Sequence, residues 1–258
     1  MIVGNWKMHL DVQAASLLVH RLDKDIKPYR DIELVLAPSL LALQPVSLEI
    51  DRRKFRLAAQ NAYQVDEGAY TGEVSFTMLR ELVHYVIIGH SERRIYFEET
   101  LDTVRDKVSA AVRNRITPIL CIGETKQERV AGETKRVIHD QLTSAVSNLT
   151  SEEIDDLVVA YEPVWAISTF GHELAKPDEI EQVFKLIRLE IKELFGPQAA
   201  ERIRVLYGGS VDDQIASGYL ALPDCDGVLV GAASLNYKKF AGIVESAYRL
   251  QHEEKDKK

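Results

Sequence analysis

The chain has 258 residues, 46% hydrophobic and 28% charged, a composition that suits one sizeable globular domain with a buried core. Its net charge of −8, from 32 basic and 40 acidic residues, argues against a general nucleic-acid binder, and no apolar run reaches the roughly eighteen residues of a membrane span. The two cysteines, Cys121 and Cys225, lie far apart without zinc-ligand spacing, which agrees with a reducing compartment.

The first strand-like run covers residues 2–6 and begins almost at once, with no basic, apolar or cleavage region of a signal peptide before it, so a cytoplasmic location is expected. Seven more short β-branched runs follow, at residues 33–37, 56–60, 85–89, 117–122, 157–161, 204–207 and 227–230. Most are continuous apolar stretches rather than alternating ones, as expected of parallel strands covered on both faces. Helix-period segments lie between them. The clearest starts at Pro177, with Ile180, Val183, Phe184, Ile187, Ile191 and Leu194 on one stripe and Gly196-Pro197 as its stop. A second uses Leu101, Val104, Val108, Ala111 and Val112. Eight strand–helix units, with no linker between them, predict a closed (β/α)₈ barrel as a single domain over residues 1–250. An open doubly wound sheet is the other reading, but the glycine fingerprint that dinucleotide binders carry after their first strand is missing. Residues 251–258 are polar and predict a frayed tail.

In such a barrel, chemistry gathers where strands hand over to loops at their carboxyl ends. The first run exits into Gly4-Asn5-Trp6-Lys7, the fourth into His90-Ser91-Glu92-Arg93, and the sixth into Glu162-Pro163-Val164-Trp165. A carboxylate, an imidazole and an ammonium at three such exits form a candidate acid–base site. Glu162 is the candidate general base. His90 precedes a helical first turn, whose positive dipole end disfavours an imidazolium and suits a neutral N–H donor. Lys7 is a cation placed to neutralise a phosphate or a developing enediolate. Tyr207-Gly208-Gly209-Ser210 and Val230-Gly231-Ala232-Ala233 follow the last two strands, where small residues let backbone amides approach an anion. The histidines show no metal-ligand spacing, so no metal is expected.

Taken in order, Gly4-Asn5-Trp6-Lys7-Met8, Gly89-His90-Ser91-Glu92-Arg93, Cys121-Ile122-Gly123-Glu124, Tyr161-Glu162-Pro163-Val164-Trp165, Tyr207-Gly208-Gly209-Ser210 and Leu229-Val230-Gly231 give a chain that resembles the triosephosphate isomerases over nearly its whole length. The resemblance implies a glycolytic and gluconeogenic isomerase that moves a proton between adjacent carbons of dihydroxyacetone phosphate and glyceraldehyde 3-phosphate, without metal or organic cofactor. A glutamate base working with a neutral histidine is the family's own acid–base logic, and it comes to this chain through the resemblance. By that resemblance Glu162 is the base and His90 the electrophile, Asn5 and Lys7 hold substrate, and Glu92 supports them from behind. The amides of Ser168, Ser210, Gly231 and Ala232 grip the phosphate. Thr71, on the long segment 64–73, reaches a neighbouring subunit in a homodimer.

Three positions depart from the family pattern. The lid, which usually reads Ala-Ile-Gly-Thr-Gly-Lys, here runs Ala166-Ile167-Ser168-Thr169-Phe170-Gly171-His172 before Lys176-Pro177. This alteration over 168–176 leaves room for an isomerase of the same fold with another sugar phosphate, or for a binding protein of low turnover. Ala232 stands for a glycine, at a cost on the order of 1 kcal/mol if the position needs positive φ. His9 replaces an asparagine.

Overall fold

The computed structural model describes residues 1–171 and 173–255, with side chains to residue 252. Eight parallel strands form a closed barrel in chain order: β1 (Ile2–Asn5), β2 (Leu34–Ala37), β3 (Phe55–Ala59), β4 (Tyr85–Ile88), β5 (Thr117–Ile122), β6 (Val158–Tyr161), β7 (Arg204–Tyr207) and β8 (Gly227–Val230). The ring closes where β1 pairs with β8, Ile2 against Val228 and Gly4 against Val230. These are the predicted strands: β1, β2, β4 and β6 are one residue shorter at one end, and β3 lies one residue earlier, beginning at Phe55. Gly89 drops out of β4 because its φ of 71° breaks the extended ladder.

Alternation along each strand sorts the apolar runs into two cores. One side chain in two points inward, so Val3, Val35, Ile87, Ile119, Ala160 and Leu206 fill the barrel. Their neighbours Ile2, Leu36, Val86, Leu120 and Val159 face outward under the helices. Both faces are therefore dry, which explains why the strands read as unbroken apolar segments.

The helix Pro177–Phe195 opens with proline, Asp178 and Glu179 at the positive end of its dipole and stops at Gly196, whose φ is 92°. Ile180, Val183, Phe184, Ile187 and Ile191 are buried as predicted, but Leu194 is 46% exposed in the last turn. In its place Glu190 is buried, bonded to His139 Nδ1 at 2.8 Å. The helix Leu101–Arg113 likewise buries Val104, Val108 and Ala111, while Leu101 in its first turn is 38% exposed and Val112 is half-buried. Lys107 goes inside instead, paired with Glu99 and with Asn61 Oδ1 at 2.7 Å. Charged side chains enter these faces only with partners, as desolvation requires.

The last helix, Tyr237–Lys255, takes in residues 251–255 of the expected tail; residues 256–258 lie outside the described residues. No helix among the described residues is long and apolar enough to cross a membrane.

Phe184 is fully buried, with its ring edge-on to Tyr161 at 6.4 Å. Phe184→Ala should lower unfolding stability by about 3–5 kcal/mol in urea titrations. A loss under about 1 kcal/mol would mean that this layer collapses around the gap.

Candidate active site

Barrel closure sets the ends of β1, β4, β6 and β8 around one mouth. There a cavity of about 620 Å³ is lined by Asn5, Lys7, His90, Glu162, Ser168, Ser210, Gly231 and Ala232 together. The structure thus gathers eight of the residues singled out in the sequence.

Glu162 leaves β6 just before Pro163 and is buried at 2% exposure. Its Oε2 accepts the Ser91 backbone N–H at 3.0 Å, at the start of the helix Ser91–Tyr96. Its Oε1 is buried with no hydrogen-bond partner. His90 Nε2 lies 3.2 Å from that free oxygen, without the alignment of a hydrogen bond. Because a buried acceptor without a donor is costly, the free lone pair marks where a substrate proton can go. Room for this carboxylate depends on Gly208, where a Cβ would stand 2.9 Å from Glu162 Cγ. Cys121 lies beneath: burial first, and then the Glu162 carboxylate, push its thiol well above the ordinary range, so it acts as a small apolar filler.

His90 caps its helix through the ring, with Nδ1 accepting the Glu92 backbone N–H at 3.2 Å. An accepting Nδ1 leaves the proton on Nε2, the nitrogen that faces the cavity and Glu162. The Glu92 carboxylate is farther away, 3.8 Å from Nδ1.

Lys7 has a φ of 51°, uncommon for a long side chain, and three bonds hold it there. Its amide donates to Asn5 Oδ1 at 3.0 Å, its carbonyl accepts from Gln60 Nε2 at 2.8 Å, and its ammonium pairs with Glu92 Oε1 at 2.6 Å. The ammonium also lies 4.0 Å from where a Cβ on Gly231 would stand, so it reaches from the reacting end of the cavity to the last loop. Burial alone would raise the Glu92 carboxyl, but the Lys7 ammonium and the Thr169 hydroxyl hold it below its usual 4.5.

Ala232 and Ala233, which open the turn Ala232–Leu235, line the cavity with Gly231, and the first amides of such a turn have no acceptor within it. Ala232 is not among the residues at positive φ, so the strain considered for alanine does not arise. Ser168 stands at the exposed lid tip, whereas the Ser210 amide donates to the Ala166 carbonyl at 3.1 Å. The altered lid segment has its own anchors. The Ile167 carbonyl accepts from Phe170 and Gly171, Phe170 leans on Tyr96 with ring centroids 5.7 Å apart, and Lys126 pairs with Glu173. Gly171 is needed for this turn, since a Cβ would fall 2.0 Å from the Trp165 carbonyl oxygen. His172 lies outside the described residues. Thr71 is exposed, on a loop whose base is tied by the Tyr63 amide to the Val74 carbonyl at 2.8 Å, and it does not line the cavity of its own chain.

Sequence reasoning assigned no role to three residues. Glu124, fully buried, accepts from the Tyr161 hydroxyl at 3.0 Å and from Trp165 Nε1 at 3.0 Å, so it clamps both flanks of Glu162. Arg129 stands 3.5 Å from Glu124 and stacks over the Trp165 ring at 4.3 Å. Tyr219 donates to the Ala175 carbonyl at 2.8 Å and stacks on Tyr207 at 4.0 Å, joining the far end of the lid to the loop after β7. Only the carboxylate after the strand run 117–122 was a visible signal; the other two depend on packing. Among the described residues no group of three or more histidine, cysteine or carboxylate side chains stands ready for a metal.

A family model described as triosephosphate isomerase matches residues 1–247. Curated relatives agree along the chain. A triosephosphate isomerase of Chloroherpeton thalassium is 42% identical over 250 residues, covering 95% of this chain and 98% of that protein. Those of Trichlorobacter lovleyi and Carboxydothermus hydrogenoformans are each 41% identical, covering 95% of this chain and 97% and 98% of their own lengths.

A carboxyl lowered on folding stabilises the native state above its unfolded value, and that contribution disappears as pH falls through the lowered folded value. Glu92→Gln should therefore cost stability at neutral pH, and the deficit should shrink progressively below pH 4.5. Urea titrations of both proteins between pH 7 and 3 read this directly; a deficit independent of pH would dismiss the Lys7–Glu92 pair as its source.

Proposed function

We propose, for a chain that belongs to the triosephosphate isomerase family and interconverts dihydroxyacetone phosphate and D-glyceraldehyde 3-phosphate, that Glu162 carries the proton between the two carbons. The observation behind this reading is the half-satisfied buried carboxylate, one oxygen tied to the Ser91 amide and the other free beside His90. Glu162 removes a proton from the carbon next to the carbonyl, and the C–H electrons pass to the carbonyl oxygen to give an enediolate. The same carboxyl returns the proton to the neighbouring carbon. His90, donating from Nε2, polarises the carbonyl and then serves the two oxygens in turn. Asn5 and Lys7 hold the substrate, and the Lys7 ammonium stabilises the negative charge as it develops. Glu92 acts on both cationic and imidazole partners, fixing the Lys7 ammonium through its carboxylate and the His90 ring through its amide.

The phosphate is assigned to the amides of Ser168, Gly231, Ala232 and Ser210. The last is released from the Ala166 carbonyl as the lid moves. Proton transfer completes the reaction, so no metal or organic cofactor takes part. The two free thiols, one buried and one half-buried, agree with a cytoplasmic setting.

We also infer a homodimer. A second cavity of about 350 Å³ adjoins Asn5, Lys7 and His90, and the exposed side chains of Met8 and Phe97 line it. The projecting 64–73 loop of a second copy, led by Thr71, is the apolar and polar plug it would take. Light scattering at micromolar concentration should give twice the 29.1 kDa chain mass, and a 29.1 kDa species alone would refute the dimer.

Steady-state isomerisation of glyceraldehyde 3-phosphate, coupled to reduction of the product, tests the assignment. Wild-type kcat/KM should reach about 10⁷–10⁸ M⁻¹s⁻¹, approaching the diffusional ceiling. Glu162→Gln keeps the shape and loses the proton acceptor, so kcat should fall by about 10³-fold or more. A rate within tenfold of wild type would remove Glu162 from the role. Lys7→Ala should cost about 3 kcal/mol of transition-state stabilisation, read from kcat/KM, and unchanged efficiency would overturn that role.

A further inference from the structure

At the opposite end of the barrel, the loops entering β2 to β5 surround another cavity, of about 520 Å³. Four arginines line it: Arg52, Arg56, Arg80 and Arg115. Its carboxylates do not balance them. Glu33 is committed elsewhere, with its Oε2 accepting from Arg204 at 2.6 Å and from the Tyr85 hydroxyl at 2.9 Å. Glu81 is 93% exposed in its side chain and approaches only its neighbour Arg80, at 3.9 Å. Neither Glu33 nor Glu81 pairs with Arg52, Arg56 or Arg115.

Arg56 instead points one nitrogen at a neutral acceptor, His84 Nε2, at 3.2 Å. An arginine can only donate, so Nε2 accepts and the His84 proton resides on Nδ1. That Nδ1 is buried with no hydrogen-bond partner. Burial first, then Arg56 and Arg52, hold the imidazole below its usual 6.5, which keeps this tautomer neutral. The cavity is thus rich in donors and short of acceptors: four guanidinium groups share its lining with two carboxylates, Glu33 held by Arg204 and Tyr85 and Glu81 held loosely by Arg80. This occurs on a chain whose net charge is −8, so the local field runs against the average of the molecule.

A guanidinium fork matches phosphate oxygens in pairs, and a cavity of this size suits a small ligand. The cations stand on three separate segments, which favours more than one phosphate. We propose that this mouth, remote from the catalytic one, binds a small anion bearing a pyrophosphoryl group. The group is supplied either as free pyrophosphate or as the phosphate chain of a nucleotide.

Calorimetry with sodium pyrophosphate tests the site on the full-length protein, with the catalytic mouth filled by a saturating phosphate-bearing enediolate analogue. One pyrophosphate should bind per chain. The double substitution Arg56→Gln with Arg115→Gln, and separately Arg52→Gln with Arg80→Gln, should each weaken it at least tenfold while glyceraldehyde 3-phosphate turnover stays unchanged. Parallel titration with ATP separates the sources. Tighter binding of ATP with the same losses assigns a nucleotide, and tighter pyrophosphate assigns the free anion. Absence of saturable binding at millimolar pyrophosphate, or affinity unchanged in both double variants, would overturn the site. Non-saturating uptake quenched by salt would do the same, since it reports diffuse charge alone.

Discussion

The pairing of β8 with β1 is the constraint on which the other features depend. Parallel strands all point the same way, so once the ring closes their carboxyl ends share one mouth. Asn5, His90, Glu162 and Gly231 leave four different strands and are separated by long stretches of chain, yet they line one cavity. The packed inner layer of Val3, Ile87, Ile119 and Leu206 fixes the spacing of those exits. The mouth is consequently ringed by strand ends, with turn and loop residues such as Lys7, Ser168, Ser210 and Gly231 carried on them.

Two buried carboxylates show how the protein distributes polar satisfaction unequally. Glu124 is fully enclosed and receives the Tyr161 hydroxyl, the Trp165 indole and the nearby Arg129 charge, so its burial is compensated and it becomes a fixed clamp. Glu162 lies between the two side chains so clamped and receives one backbone N–H, leaving its second oxygen without a donor. The satisfied carboxylate positions the unsatisfied one. Glu92 is a third case, half-exposed and shared by the Lys7 ammonium and the Thr169 hydroxyl at 3.1 Å, so it ties the cation of the site to the lid.

The lid's unusual residues are absorbed by local packing. Phe170 docks on Tyr96, Gly171 permits the tight turn under Ile167, and Tyr219 holds Ala175 at the other end. Each contact is specific to the conformation described. The Ser210 amide, bonded to the Ala166 carbonyl, ties the loop after β7 to the start of the 166–176 segment.

The barrel was legible in the sequence because parallel strands covered on both faces leave unbroken apolar runs, and eight of them recur with helical patterns between. The exits of those runs also named Lys7, His90 and Glu162, since a polar residue close after an apolar strand has a fixed place in this architecture, while Asn5 came through the family resemblance. Stripe membership at helix ends was less legible: Leu194 and Leu101 fit the helical period but lie in terminal turns that the barrel does not cover, while Lys107 and Glu190 enter the interior because partners from other elements meet them. The free oxygen of Glu162, the accepting Nδ1 of His90, the Glu124 clamp and the unbalanced arginines around His84 were decided by tertiary structure alone. Periodicity records which residues avoid water. Which donor finds which acceptor depends on distances between segments far apart in the chain, and only the closed barrel sets those distances.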